Sequence, residues 1–196
     1  SMPQGSWLGP LSFIILIDDL KLSCLTHKFV DDTTVTEILS RRQQSSMQQY
    51  YNELVDWTDS NLMRINDSKT KEMIIGSDAA IVAIPPLLSS GSDQIERVDR
   101  SKLLGFTISR DLKWSDHIDI ICSKASSRIH FLKLLKRSGV PTADLLHYYV
   151  SVIRPTVEYA CPVWHSSITS EQSDTLENMQ KRALRVIYGS RFTDAS

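Results

Sequence analysis

The 196-residue chain has no apolar run long enough to span a membrane. The nearest approach, Leu11 to Ile17, is short and is closed by Asp18 and Asp19. Cysteine is sparse: Cys24, Cys122 and Cys161 stand far apart, so no pair has metal-ligand or redox spacing. Their odd number and the lack of a signal peptide lead us to expect a reducing, intracellular setting and no membrane partner. No excess of positive charge is present either: the formal net charge of −1 excludes a globally basic nucleic-acid binder. No internal repeat is visible. With 41% hydrophobic and 23% charged residues, the composition is that of a protein able to bury a core.

The even average hides a pattern. Residues 1–96 carry 7 basic and 13 acidic side chains, residues 97–137 carry 10 and 4, and residues 138–196 carry 5 and 6. The middle block is locally basic, which by itself reads as a solvated helix face.

Periodicity divides the chain. Residues 8–20 predict a helix, with Pro10 in its first turn, and its apolar content on nearly every side predicts burial. Residues 25–38 predict a β-hairpin with Asp31-Asp32 at its turn. A second helix is expected over 41–62, then short strands at 63–66 and 71–76 around Asn66-Asp67-Ser68. Pro85-Pro86 and the serines mark 77–94 as a variable loop, with a short strand at 81–84. Residues 103–108 read as a strand containing a glycine.

From about 115 the pattern is helical. Ile118, Ile121, Cys122, Ala125, Ile129 and Leu132 form one stripe, with Ser115 as N-cap and Gly139 as stop. A helix over 142–154 should end or kink at Pro155. A last helix over 170–188 has capping-box spacing at Thr169 and Gln172, and Gly189 closes it. The fold class is α+β, with mixed elements over 1–112 and helices over 113–196.

Asp31 and Asp32 carry the sharpest chemistry. Adjacent carboxylates at a tight turn repel, and a divalent cation removes that cost. Magnesium favours one or two carboxylates completed by phosphate and water. Taken alone, the pair reads as a solvated turn.

Context changes that reading. Pro3-Gln4-Gly5-Ser6-x-Leu8-Gly9-Pro10-Leu11 is followed by Ile17-Asp18-Asp19-Leu20 and then by Phe29-Val30-Asp31-Asp32-Thr33. Leu62-Met63-Arg64-Ile65-Asn66-x-x-Lys69-Thr70 comes next, then Leu103-Leu104-Gly105-Phe106 with Leu112-Lys113-Trp114 and His117-Ile118. Ile153-Arg154-Pro155, Tyr159-Ala160, Val163-Trp164, Leu176-Glu177 and Gln180-Lys181-Arg182-Ala183 complete the series. This order of blocks resembles the C-terminal part of the reverse transcriptase of a LINE-type (non-LTR) retrotransposon, over essentially the whole chain.

The resemblance implies an incomplete polymerase palm over 1–112 (helix, β-hairpin, helix, short strands) and an all-helical, thumb-like region over 113–196. It implies RNA-directed DNA synthesis from an RNA template, a DNA primer and deoxynucleotides. Two Mg2+ ions, with Mn2+ as a substitute, would stabilise the attacking and leaving oxygens. Asp31 and Asp32 would be metal ligands, and Lys69 would neutralise or protonate the pyrophosphate. Gln4 and Gly5 would line the nucleotide and template pocket. Leu104, Gly105 and Phe106 would form a primer grip, and Lys124, Arg128, Lys133, Lys136 and Arg137 would hold nucleic-acid phosphates. Cytoplasm and nucleus are the implied compartments.

The chain also departs from the family pattern. It begins at Ser1-Met2-Pro3, as a piece of a longer reading frame would. The family's third catalytic aspartate lies on a strand upstream of the Pro3-Gln4-Gly5 block, and Asp18 and Asp19 do not replace it. Val30 stands where alanine is usual. The isolated chain is therefore expected to lack polymerase activity, with Mg2+ bound only once the missing carboxylate strand is supplied. A non-catalytic RNA or RNA–DNA binding module and a non-functional remnant of a mobile element are the alternatives.

Overall fold

Local signals set most element boundaries in the computed structural model, which describes residues 8–40, 43–76 and 84–189. The chain divides into two compact units, Ser1–Val98 and Asp99–Ser196.

The first unit opens with α1 (Leu8–Asp18). Its burial was expected and is not found. Leu11, Ile14 and Ile15, spaced to share one flank, are 55%, 54% and 67% exposed. A helix apolar on every side cannot turn all of it inward against the described residues. Strands β1 (Leu25–Phe29) and β2 (Asp32–Thr36) form an antiparallel hairpin running from Leu25↔Thr36 to Phe29↔Asp32. Helix α2 (Met47–Ser60) starts later than the expected 41. The carboxylate of Glu37 gathers its entry, accepting from the Ser45 hydroxyl at 2.6 Å and the Ser46 amide at 2.9 Å.

The strand expected at 63–66 is absent, because this segment leaves α2 through a turn and enters another at 67–69. Strand β3 (Lys71–Glu72) pairs in parallel with β6 (Glu96–Arg97). Arg97 bonds the Glu72 carboxylate at 2.9 Å and also donates to the carbonyls of Pro85 and Pro86. Most of the strand expected at 81–84 lies outside the described residues. The serine-rich stretch after Pro86 is not a loose loop: β4 (Ser89–Ser90) and β5 (Asp93–Gln94) form a hairpin turned at Gly91. Leu88 and Ile95, flanking that hairpin, are buried with Tyr51 of α2.

The second unit opens with another hairpin, β7 (Arg100–Leu103) and β8 (Phe106–Ser109). The single strand expected over 103–108 is therefore two strands. Leu104 at φ +45° and Gly105 at φ +94° make the turn between them. Helix α3 (Ser115–Arg137) carries the predicted stripe: Ile118, Ile121, Ala125, Ile129 and Leu132 are buried. Trp114, not Ser115, stands at its N-cap, and Gly139 follows its end in the left-handed region.

Pro155 does not end the next helix. Helix α4 (Thr142–Tyr148) passes into a π-helical turn (Tyr149–Ile153) and on into α5 (Arg154–Glu158). The wider turn absorbs the missing N–H of proline. Arg128 donates to the Val152 carbonyl at 3.1 Å, supporting that turn from α3. Two short elements not foreseen from sequence come next, α6 (Cys161–Trp164) and a 3-10 turn (His165–Ser167). Helix α7 (Ser170–Tyr188) has both halves of the expected capping box.

Helices α3 and α7 frame two joined clusters. One holds Ile129, Leu132, Leu145, Ile153, Ala183 and Ile187, and the other Ile118, Ile121, Ala125, Val157, Trp164 and Leu176. The change of composition near 112 lies within this second unit, because the β7–β8 hairpin packs on α3. Phe106 meets the His117 ring edge-on at 6.4 Å.

Candidate active site and nucleic-acid surface

In the first unit, the β1–β2 register leaves a two-residue loop, Val30-Asp31. Val30 takes φ +54°, a costly conformation for a β-branched residue and the kind of left-handed first position that two-residue hairpins use. Asp31 is thus the second loop residue and Asp32 the first of β2. Both are exposed, and neither carboxylate is paired with a cation among the described residues. Two adjacent, unneutralised carboxylates suit a hard divalent ion that completes its shell with phosphate and water. No group of three or more metal-ligating side chains occurs among the described residues.

Lys28 anchors this hairpin. Its ammonium donates to the carbonyls of Ile17 at 2.9 Å, Asp18 at 3.2 Å and Leu20 at 3.1 Å. These carbonyls lie at and just beyond the end of α1, where a cation also complements the helix dipole. The hairpin is therefore tied to the helix next to its carboxylates. The segment between them is held as well: the Ser23 amide donates to Glu53 of α2 at 3.1 Å, which lowers the Glu53 pKa. Lys28 was missed from sequence. Its signal was position: Thr26 and Lys28 alternate with exposed neighbours along β1, and a lysine on a covered face needs acceptors.

Lys69 is exposed in the turn that follows α2. Its backbone amide donates to the Asn66 carbonyl at 3.0 Å. The same turn is braced by Asp67, whose carboxylate accepts from the Tyr51 hydroxyl at 3.0 Å and the Ser90 hydroxyl at 2.9 Å. No hydrogen bond or ion pair joins Lys69 to Asp31 or Asp32. Gln4 and Gly5 lie outside the described residues.

In the second unit, Leu104, Gly105 and Phe106 sit at the tip of a hairpin. Tyr159 clamps that tip: its hydroxyl donates to the Leu104 carbonyl at 2.7 Å, and a Cβ on Gly105 would meet its ring at 2.9 Å. Behind Phe106 lies His117, which is buried. Its Nδ1 accepts the Thr107 amide at 3.3 Å, so its proton sits on Nε2. That nitrogen has no hydrogen-bond partner among the described residues, and the rings of Phe106, Trp114 and Trp164 meet the imidazole at 5.8–6.4 Å. Burial, and then the charge of Lys124, push the His117 pKa down. Trp164 is itself buried and donates to the Tyr159 carbonyl at 3.0 Å, so it is a core side chain and not a stacking platform.

The five basic residues of α3 do not share one face. Lys124 and Arg128, one turn apart, border a cleft with Gly105, Ser151, Pro155 and Tyr159. Lys136 donates to the Ile187 carbonyl at the end of α7, at 2.9 Å. Lys133 and Arg137 do not line the cleft. All three cysteines are free, and no helix among the described residues is long and apolar enough to cross a membrane.

The family described as "Reverse transcriptase (RNA-dependent DNA polymerase)" matches residues 1–108. In Drosophila melanogaster, the probable RNA-directed DNA polymerase from transposon X-element is 24% identical over 96% of this chain and 22% of its own length. The corresponding protein from transposon BS is 22% identical over 95% of this chain and 22% of its length. The chain thus spans about a fifth of the curated relatives it matches. No solved structure matches it significantly.

Proposed function

The chain belongs to the reverse transcriptase (RNA-dependent DNA polymerase) family, and on that premise we propose that it supplies the Asp31-Asp32 hairpin of a LINE-type polymerase. The observation that carries this reading is the tight β1–β2 turn, which sets two exposed, unpaired carboxylates side by side within the matched residues. In this reading Asp31 and Asp32 hold a divalent ion, magnesium by preference, with Mn2+ as a substitute. When bound, such ions stabilise the attacking and leaving oxygens of nucleotidyl transfer.

The remaining roles fall to the chain's own side chains. Lys28 ties the hairpin that bears these carboxylates to the end of α1. Lys69, exposed on a braced turn, neutralises or protonates the pyrophosphate. Gln4 and Gly5 line the nucleotide and template pocket. The Leu104-Gly105-Phe106 tip supports the primer end, and the basic residues of α3 hold phosphates of the RNA template and DNA primer. Residues 1–112 then serve as palm and 113–196 as thumb, acting in cytoplasm and nucleus.

The isolated chain does not polymerise in this account, since two carboxylates hold one ion and the paired-ion chemistry requires a further ligand. Primer extension on primed RNA tests the reading. The complete polymerase should extend, its Asp31→Asn variant should lose extension, and the isolated 196-residue chain should show none. Undiminished extension by the Asp31→Asn polymerase would refute the assignment.

A further inference from the structure

Within the second unit, α3, the π-helical turn and α5 line a cleft of about 390 Å³. One wall is cationic, formed by Lys124 and Arg128. Ser151 of the π-helical turn and Pro155 of α5 also line the cleft. Gly105 and Tyr159 line it too, the backbone of Gly105 lying close against the Tyr159 ring.

Each wall has a chemical bias. Arg128 uses one guanidinium nitrogen on the Val152 carbonyl, which fixes the side chain and leaves its other donors free. Lys124 is exposed, with no hydrogen bond or ion pair to another side chain among the described residues. Pro155 and the half-exposed Tyr159 ring offer apolar surface. An anion joined to a flat, partly apolar group satisfies both biases. The volume lies within the range of small-ligand pockets, on the order of 300–1,000 Å³.

We propose that this cleft takes one unpaired nucleotide of a single-stranded nucleic acid, its phosphate on Lys124 and Arg128 and its base against Tyr159 and Pro155. Unpaired bases are the ones free to leave a strand and stack on aromatic side chains. A duplex keeps its bases inside and offers only phosphate ridges, which cannot enter a recess. This inference rests on the nucleic-acid reading above and narrows it: the recess, and not the basic helix as a whole, selects the ligand.

The test uses the 196-residue chain and a fluorescein-labelled oligouridylate, read by anisotropy at several salt concentrations, with a blunt RNA duplex of the same length beside it. We expect the single strand to bind more tightly than the duplex. Lys124→Glu should weaken single-strand binding about tenfold and reduce the salt slope by about one. Ser151→Trp, which fills the recess and leaves both cations, should weaken it similarly, whereas Arg182→Glu, an exposed position of α7 outside the cleft, should change it less than about twofold. Circular dichroism checks that each variant is folded. Equal affinity for duplex and single strand, full affinity in Ser151→Trp, or an equal loss in Arg182→Glu would each overturn the cleft while leaving general nucleic-acid binding in place. Failure of the unaltered chain to bind either probe at low salt would remove both the cleft and the phosphate-holding role of α3.

Discussion

Gly105 joins two separate constraints at one residue. Its φ of +94° strains any L side chain, and a Cβ there would press on the Tyr159 ring at 2.9 Å. Gly105→Ala should therefore cost about 1–3 kcal/mol in chemical denaturation. Combining it with Tyr159→Ala should cost less than the sum, because the steric part then disappears. Strict additivity would show that the clamp is not what makes glycine necessary.

His117 gives a second test at this scale. Its pKa is lowered by burial and by Lys124, so the unfolded chain takes up its proton more readily than the folded one. Its contribution is then complete above the unfolded value of about 6.5 and is lost as pH falls from there through the folded value. Protonation also ends the acceptor role of Nδ1 toward Thr107. Urea midpoints measured from about pH 8 downward should show an acid-side fall that His117→Gln reduces. An unchanged fall would place the titrating group elsewhere. Histidines near matched blocks were visible in the sequence, but which of them was buried was not, since that depends on three aromatic neighbours from different elements.

At the scale of elements, legibility followed locality. Helices α3 and α7 were readable because period, cap and stop lie within each segment. The passage of the chain through Pro155 was not, because it relies on a π-helical turn supported by Arg128 from another helix. Strand β8 was mistaken for the end of a longer strand because Leu104, a residue that rarely adopts positive φ, makes the turn. Leu88 and Ile95 were hidden in a serine- and proline-rich stretch whose composition resembles a loop.

Lys28 joins α1 to the β1–β2 hairpin, so Lys28→Met should destabilise the chain by about 1–2 kcal/mol, measured by denaturation. An unchanged midpoint would mean that the three carbonyls are served equally well by water. The exposed flank of α1 makes an opposite prediction. Leu11→Gln with Ile15→Lys should leave the thermal midpoint nearly unchanged and reduce self-association in sedimentation velocity. A large loss of stability would show that the flank is covered within this chain.

For the molecule as a whole, the order of blocks was legible in the amino-acid sequence alone, and the family match over residues 1–108 agrees with it. The sequence did not reveal the compact boundary at Val98/Asp99, which depends on β7 and β8 packing with the helices. Nor did it reveal that the basic residues of α3 diverge in direction, since charge counts ignore where a helix turns. Asp31 and Asp32 are proposed as the metal-holding pair of an RNA-directed DNA polymerase. The most direct test is Mg2+-dependent primer extension by the complete polymerase carrying Asp31→Asn and Asp32→Asn, with primer–template binding measured in parallel. Extension should fall by at least about a hundredfold while binding stays near its original affinity. Extension at an undiminished rate would contradict it.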